Sequence, residues 1–215
     1  MSVEDEIVDM SFAIRGHAVP SDHGYALYSA ICRQLPALHG VPWLGVHPIR
    51  GERLVSGALR VREHSAVTLR LPLRELGAAL PLAGQVLDVG GAQVALRTPT
   101  IEKLAPCEGL DARAVVFKLT DVSRSTSTTI DKRGFERSFR AQLDRVLGKL
   151  LAGDTPPYEL TGRQQVTVGG RRVLGYSVRL GRLDAVQSVA IQISGIGGKR
   201  RMGCGIFAPT RRRAR

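Results

Sequence analysis

Residues 194–208 read SGIGGKRRMGCGIFA, with Gly195, Gly197, Gly198, Gly203 and Gly205 set around the cations Lys199, Arg200 and Arg201. Glycine-rich segments of two familiar kinds bind nucleotides, and neither fits. A P-loop places Ser or Thr after its lysine and opens a helix, whereas Lys199 is followed by Arg200. A dinucleotide-binding turn joins a strand to a helix inside a βαβ unit. Here the order is reversed. Residues 184–193 carry Val186, Val189, Ala190 and Ile193 at helical spacing, although Val189, Ile191 and Ile193 also alternate like a strand. Read as a helix, the segment makes the loop a connection from a last helix to a last short strand, Cys204–Phe207. Such a connection belongs to an antiparallel α+β unit. Lacking Cβ atoms, the glycines allow positive φ and let backbone N–H groups approach an oxygen ligand, while Lys199, Arg200 and Arg201 supply charge for phosphate. The alternative is a flexible loop ahead of a final strand.

Working back from the loop, Gln164–Val168 and Arg172–Leu180 flank Gly169-Gly170, a two-residue hairpin signal. Before them Phe135–Leu151 reads as a helix, with Phe135, Phe139, Leu143, Val146, Leu147 and Leu150 on one face. A polar loop at Ser123–Thr129 and a strand at Ala114–Thr120 precede it, and the turn residues of Pro106–Asp111 mark a boundary. The first half gives the same order. A strand at Glu6–Arg15 leads to a helix capped by Ser21 or Asp22, with Leu27, Ala30, Ile31 and Leu35 at helical spacing up to Pro36. Strands follow at Trp43–Ile49 and Ala66–Leu71, separated by an arginine-rich connection, then a short helix at Leu73–Leu80. Gln85–Val89 and Gln93–Arg97, on either side of Gly90-Gly91, close the half as a hairpin or an interrupted strand. Both halves therefore read βαββαβ. The expected fold is α+β: two tandem ferredoxin-like, RRM-like halves at residues 1–106 and 107–215.

Of the formal net charge of +12, the last 56 residues carry +11, and nearly all their basic side chains are arginines. A one-sided field of planar guanidinium forks implies a polyanion, and nucleic acid above all. Aromatic residues make up only 5% of the chain and no RNA-recognition-motif aromatic block occurs, so backbone and shape contacts to a hairpin fit better than stacking on many unpaired bases. No helix-turn-helix or zinc pattern supports a DNA-binding module. Arg211-Arg212-Arg213-Ala214-Arg215 reads as a disordered tail adding non-specific affinity. No apolar run approaches the roughly 20 residues of a spanning helix, so no membrane is involved. The acidic N-terminus lacks a secretion-signal layout, which points to the cytoplasm. Cys32, Cys107 and Cys204 fit neither a disulfide framework nor a C-x-x-C metal site, and no cofactor or metal is implied.

Two blocks resemble a known family, the CRISPR-associated repeat-processing endoribonucleases of the repeat-associated mysterious protein superfamily. GIGGKRRMGCGIF at 195–207 is similar to that family's signature glycine-rich loop, and VPSDHGYALY at 19–28 is similar to a bacterial branch in which a histidine opens the first helix. The resemblance implies tandem ferredoxin-like folds and metal-independent cleavage of a precursor CRISPR RNA repeat hairpin. It also implies retention of the mature guide RNA with other subunits of an effector complex. The glycine-rich loop would bind the RNA through Gly195, Gly197, Gly198, Lys199, Arg200, Arg201, Gly203 and Gly205. The family's histidine falls on His23.

Cleaving RNA without a metal requires a base to take the 2′-OH proton and an acid to protonate the leaving 5′-oxygen, and histidine suits either task near neutral pH. His23 begins the face of the first helix, where the helix N-terminus favours the neutral imidazole a base needs; it reads equally as a capping or packing residue. His47, at a strand end, is the second candidate, as acid or orienting partner, and His17 the next. His39 and His64 have less to recommend them. Tyr25 and Tyr28 are candidates to position a phosphate or the attacking hydroxyl, though Tyr28 also fits a core position. Lys199 suits charge stabilisation or binding, and Cys204 lacks a histidine near it in sequence. The competing function class is a non-catalytic RNA-binding subunit of a CRISPR ribonucleoprotein, in which the same loop binds and the histidines are incidental.

Overall fold

The computed structural model describes residues 6–117, 132–148 and 155–210, and the chain divides into two compact units. The expected polar loop Ser123–Thr129, residues 118–120 of the expected strand, residues 149–151 of the expected helix and the tail Arg211–Arg215 lie outside the described residues.

The first unit comprises Met1–Leu104 with two short segments from later in the chain, Thr167–Gly170 and Arg200–Gly203. It opens on β1 (Ile7–Arg15), which buries Val8, Met10, Phe12 and Ile14 on one face and leaves Asp9 and Ser11 on the other. β2 (Ala18–Pro20) leads into α1 (Gly24–Gln34), whose buried Leu27, Tyr28, Ala30 and Ile31 sit at helical spacing. Neither Ser21 nor Asp22 caps α1. The N-cap is His23, with no side-chain cap bond, and the Asp22 carboxylate instead accepts the N–H of Thr167 at 2.7 Å. After a 3₁₀ turn at Pro36–Leu38 come β3 (Gly45–Val46), β4 (Glu52–Arg53), β5 (Ala58–Arg60) and β6 (Ala66–Pro72). The strand expected over Trp43–Ile49 shrinks to β3 because Pro48, lacking an N–H, cannot continue the ladder. The helix expected at Leu73–Leu80 forms as α2 (Leu76–Ala79) between two 3₁₀ turns, Leu73–Glu75 and Leu80–Leu82, the second holding Pro81 in its first turn. β7 (Val86–Val89) and β8 (Ala92–Lys103) complete the unit. The main sheet runs β3-β6-β1-β8-β7 with antiparallel pairing throughout. Leaving out the edge strand β7, this is the ferredoxin-like arrangement with β1 at the centre. The arginine-rich connection contributes β4 and β5 to a separate small sheet with β2, in the order β2-β5-β4.

The second unit holds β9 (Leu110–Val115), α3 (Lys132–Leu147), β10 (Tyr158–Val168), β11 (Arg171–Leu180), α4 (Ala185–Ser194) and β12 (Ala208–Pro209). The order β10-β11-β9-β12 repeats the ferredoxin-like pattern. β9 begins four residues earlier than the strand expected from Ala114, because its buried Leu110, Ala112 and Ala114 alternate with Asp111 and Arg113. α4 is a helix: the Asp184 carboxylate accepts the Gln187 N–H at 2.8 Å while the Gln187 side chain accepts the Asp184 N–H at 3.3 Å, a reciprocal capping box. The last strand is Ala208–Pro209 rather than Cys204–Phe207, which is fully packed against the core. No helix among the described residues is long and apolar enough to cross a membrane.

Candidate functional site

The glycine-rich loop leaves α4 at Gly195, where φ is 64°, and its backbone is committed to the protein. The N–H groups of Gly195, Gly197, Gly198, Gly203 and Gly205 donate to Ile191 O, Gln142 Oε1, Val116 O, Arg200 O and Ala114 O, at 2.7 to 3.2 Å. In this structure these five amides are thus paired within the protein. Close packing makes the glycines necessary. Gly205 has φ 66°, and a Cβ there would stand 2.4 Å from the Ile196 carbonyl oxygen. What the loop presents outward is Lys199, exposed and held at φ 63°, a left-handed conformation rare for a residue with a side chain.

The next residues turn into the first unit as a 3₁₀ turn, Arg200–Met202. Arg201 donates to Val41 O at 3.0 Å, and its guanidinium lies 5.8 Å from the centre of the Tyr28 ring. Arg200 is half-buried beside Arg70, and burial followed by that like charge lowers its pKa. The two sequence blocks that carry the resemblance meet here. A Cβ on Gly24, the glycine of the DHGY block, would stand 2.2 Å from the Met202 carbonyl oxygen, so the turn seats directly on the start of α1. On its other side Gly203 packs against Pro48.

His23 is fully buried. Its Nδ1–H donates to Pro20 O at 2.8 Å and its Nε2 accepts the Ile49 N–H at 2.8 Å, which fixes a neutral tautomer. His47 lies two residues before Ile49, so the segment His47-Pro48-Ile49 carries one histidine and pins the other. The His47 Nε2 is buried, 3.3 Å from Asp9 Oδ1 but outside hydrogen-bond geometry, and 12% of its side chain is exposed. Asp9 is itself clamped by Arg70, whose Nε and Nη2 reach its two carboxylate oxygens at 2.8 Å each. Burial raises the Asp9 pKa, but the bonds from Arg70 and the contact with His47 outweigh it and hold the carboxyl well below the usual range. Burial lowers the His47 pKa against the opposing pull of Asp9.

Tyr25 is exposed on the first turn of α1. Tyr28 is buried, and its hydroxyl accepts the Gly40 N–H at 2.8 Å. His39 is exposed and stacks on the Tyr28 ring with centroids 6.3 Å apart. His17 and His64 are exposed elsewhere in the first unit, and Cys204 is buried in the second. The sequence reading missed Asp9 and Arg70. The available signal was one charge at the middle of each of two apolar strands, and β1 and β6 place those charges directly opposite each other. Among the described residues no group of three or more His, Cys, Asp or Glu side chains is placed to hold a metal ion.

Two ferredoxin-like units, with a glycine-rich basic loop as the last helix-to-strand connection, define a class of nucleic-acid-handling protein. The chain belongs to the Cas6 CRISPR family, which it matches over residues 8–212. It is 35% identical over 208 residues to the CRISPR-associated endonuclease Cas6 of Myxococcus xanthus (strain DK1622), covering 97% of this chain and 84% of that protein. Its fold is similar to that of a solved CRISPR associated protein Cas6, with a TM-score of 0.64 at 12% identity, covering 96% of this chain and 99% of that one. It is similar to the same degree, TM-score 0.64 at 13% identity over 94% and 97% of the two chains, to the product of a Cas6-related gene from Pyrococcus furiosus.

Proposed function

We propose that this chain, an endoribonuclease of the Cas6 family, cuts the repeat hairpins of precursor CRISPR RNA by attack of a ribose 2′-OH on the adjacent phosphate. The 2′-oxygen forms a bond to phosphorus as the bond to the 5′-oxygen breaks, leaving a 2′,3′-cyclic phosphate and a 5′-OH. One base takes the 2′-OH proton and one acid protonates the 5′-oxygen. His23 is the proposed base, His47 the acid, and Tyr25 a positioning group. Lys199, Arg200 and Arg201 hold the RNA, Lys199 as the outward charge. The mature guide RNA and other effector-complex subunits are the proposed later partners, in the cytoplasm.

The observation that supports this reading is that His23 Nε2 accepts the N–H of Ile49, two residues from His47, while Gly203, just after the Arg200–Met202 turn of the signature loop, packs on Pro48 between them in sequence. His23 Nε2 is the unprotonated nitrogen a base needs, but acting as one requires the substrate hydroxyl to displace the Ile49 N–H. A second reading follows from the same bonds: His23, buried with both nitrogens engaged, pins the chain while His47 carries the proton chemistry. His23→Ala separates the two. As the base, His23 contributes about 100- to 10,000-fold to single-turnover cleavage, and its loss leaves RNA affinity nearly unchanged in the folded variant. As a pin, its loss lowers melting temperature, affinity and cleavage together, and cleavage per folded molecule is retained.

A further inference from the structure

The construction of the Asp9, Arg70 and His47 cluster exceeds what stability demands. A buried arginine and carboxylate add little net stability over a pair of apolar residues of the same size, since desolvation offsets most of their attraction. Arg70 is 1% exposed and spends both its Nε and an Nη on Asp9. This leaves the carboxylate one fixed position, with Oδ1 toward the buried Nε2 of His47. A free carboxylate on a strand would sample several rotamers; this one has none to sample. We propose that Asp9, immobilised by Arg70, is a positioning residue that orients the His47 ring and keeps it able to carry a proton during RNA cleavage.

The chemistry follows from the charges around the ring. Asp9 on β1 faces it with a negative charge, while Arg70 on β6 and Arg50 just beyond β3 act on it with positive ones. Without Asp9, burial and both cations would all oppose an imidazolium, and the His47 pKa would be lowered further. With Asp9 present, one face of the ring sees an anion, which opposes part of that loss and favours the protonated form relative to a ring without it. In the reaction the imidazolium gives its proton to the 5′-oxygen as the phosphorus bond breaks, and water returns a proton after product leaves.

The inference rests on the proton-transfer role proposed for His47, and the test distinguishes the two. Single-turnover cleavage of a labelled repeat hairpin by the full chain is measured from pH 5.5 to 9 for wild type, Asp9→Asn, His47→Gln and the double variant. Asp9→Asn is expected to slow cleavage about 10- to 100-fold at pH 7.5, part of the effect of a positioned acid. It should also move the high-pH limb of the profile to lower pH and leave RNA affinity within about threefold. In the His47→Gln background it should add nothing. A folded Asp9→Asn with an unshifted profile, or a double variant whose losses multiply, overturns the proposal. Where Asp9→Asn fails to fold, Arg70→Lys, which keeps the charge but loses the two-point clamp, is expected to shift the limb in the same direction, and an unshifted limb counts against the proposal. A wild-type chain that cuts no repeat hairpin defeats the endoribonuclease reading instead. The pH titration of the His47 ring by NMR then tests the positioning alone, with a lower pKa in Asp9→Asn expected and an unchanged one overturning it.

Discussion

Lys199 adopts φ 63°, which costs roughly 1–2 kcal/mol for a residue with a Cβ. Strain of this kind persists where a side chain is needed outside, and here it sets an exposed cation at the tip of the loop. Lys199→Gly is therefore expected to leave the melting temperature at or slightly above wild type while weakening RNA binding. Losing one phosphate contact should reduce the slope of log K against log salt by about 0.7 to 0.9. Titrating affinity from 50 to 300 mM salt checks both effects, and an unchanged slope would remove Lys199 from the contact. Asp9 provides a pH signature. Because its folded pKa is depressed, its contribution to stability is complete above the ordinary carboxylate pKa near 4 and is lost as pH falls below that value. The melting-temperature gap between wild type and Asp9→Asn should accordingly be widest near pH 6 and begin to narrow as pH falls below about 4 toward pH 3. A gap that stays constant over that range would mean the ion pair is not what sets it.

Gly24 is the point where element packing decides function, since α1 begins against the Met202 carbonyl with no room for a methyl group. Gly24→Ala should cost about 1–3 kcal/mol through overpacking and unseat the Arg200–Met202 turn. RNA affinity should then fall without loss of secondary structure, as read by binding and circular dichroism on one sample. Asp184→Ala removes the α4 cap at a cost of about 1 kcal/mol, or about 2–4 °C in melting temperature for a chain of this size. Elements with a local chemical marker were legible in the sequence: α4 had two competing periodicities, and the Asp184–Gln187 box decides between them. β9 was misplaced because Asp111 and Arg113 interrupt its apolar run while still obeying its alternation. Asp22 looked like a cap, but its partner Thr167 lies 145 positions away, and no local pattern encodes that bond. The loop's glycines were legible as positions needing close approach. What approaches them was not, because Val116, Gln142 and Ala114 reach the loop only through the tertiary fold.

At the scale of the whole chain, a repeated βαββαβ order and a charge of +11 in the last 56 residues were both visible in the sequence, and both sheets have the ferredoxin-like strand order. The assignment of Arg200–Gly203 to the first unit was not visible, since it depends on backbone contacts distant in sequence. The central claim is intramolecular attack by a 2′-OH, and it is tested most directly by single-turnover cleavage of a repeat hairpin carrying one 2′-deoxyribose at the cut site, in excess EDTA. The unmodified hairpin should be cut under these conditions to a 2′,3′-cyclic phosphate and a 5′-OH, while the deoxy hairpin binds with nearly the same affinity and stays intact. Cleavage of the deoxy hairpin, or a chelator-abolished activity restored by magnesium, would contradict the account.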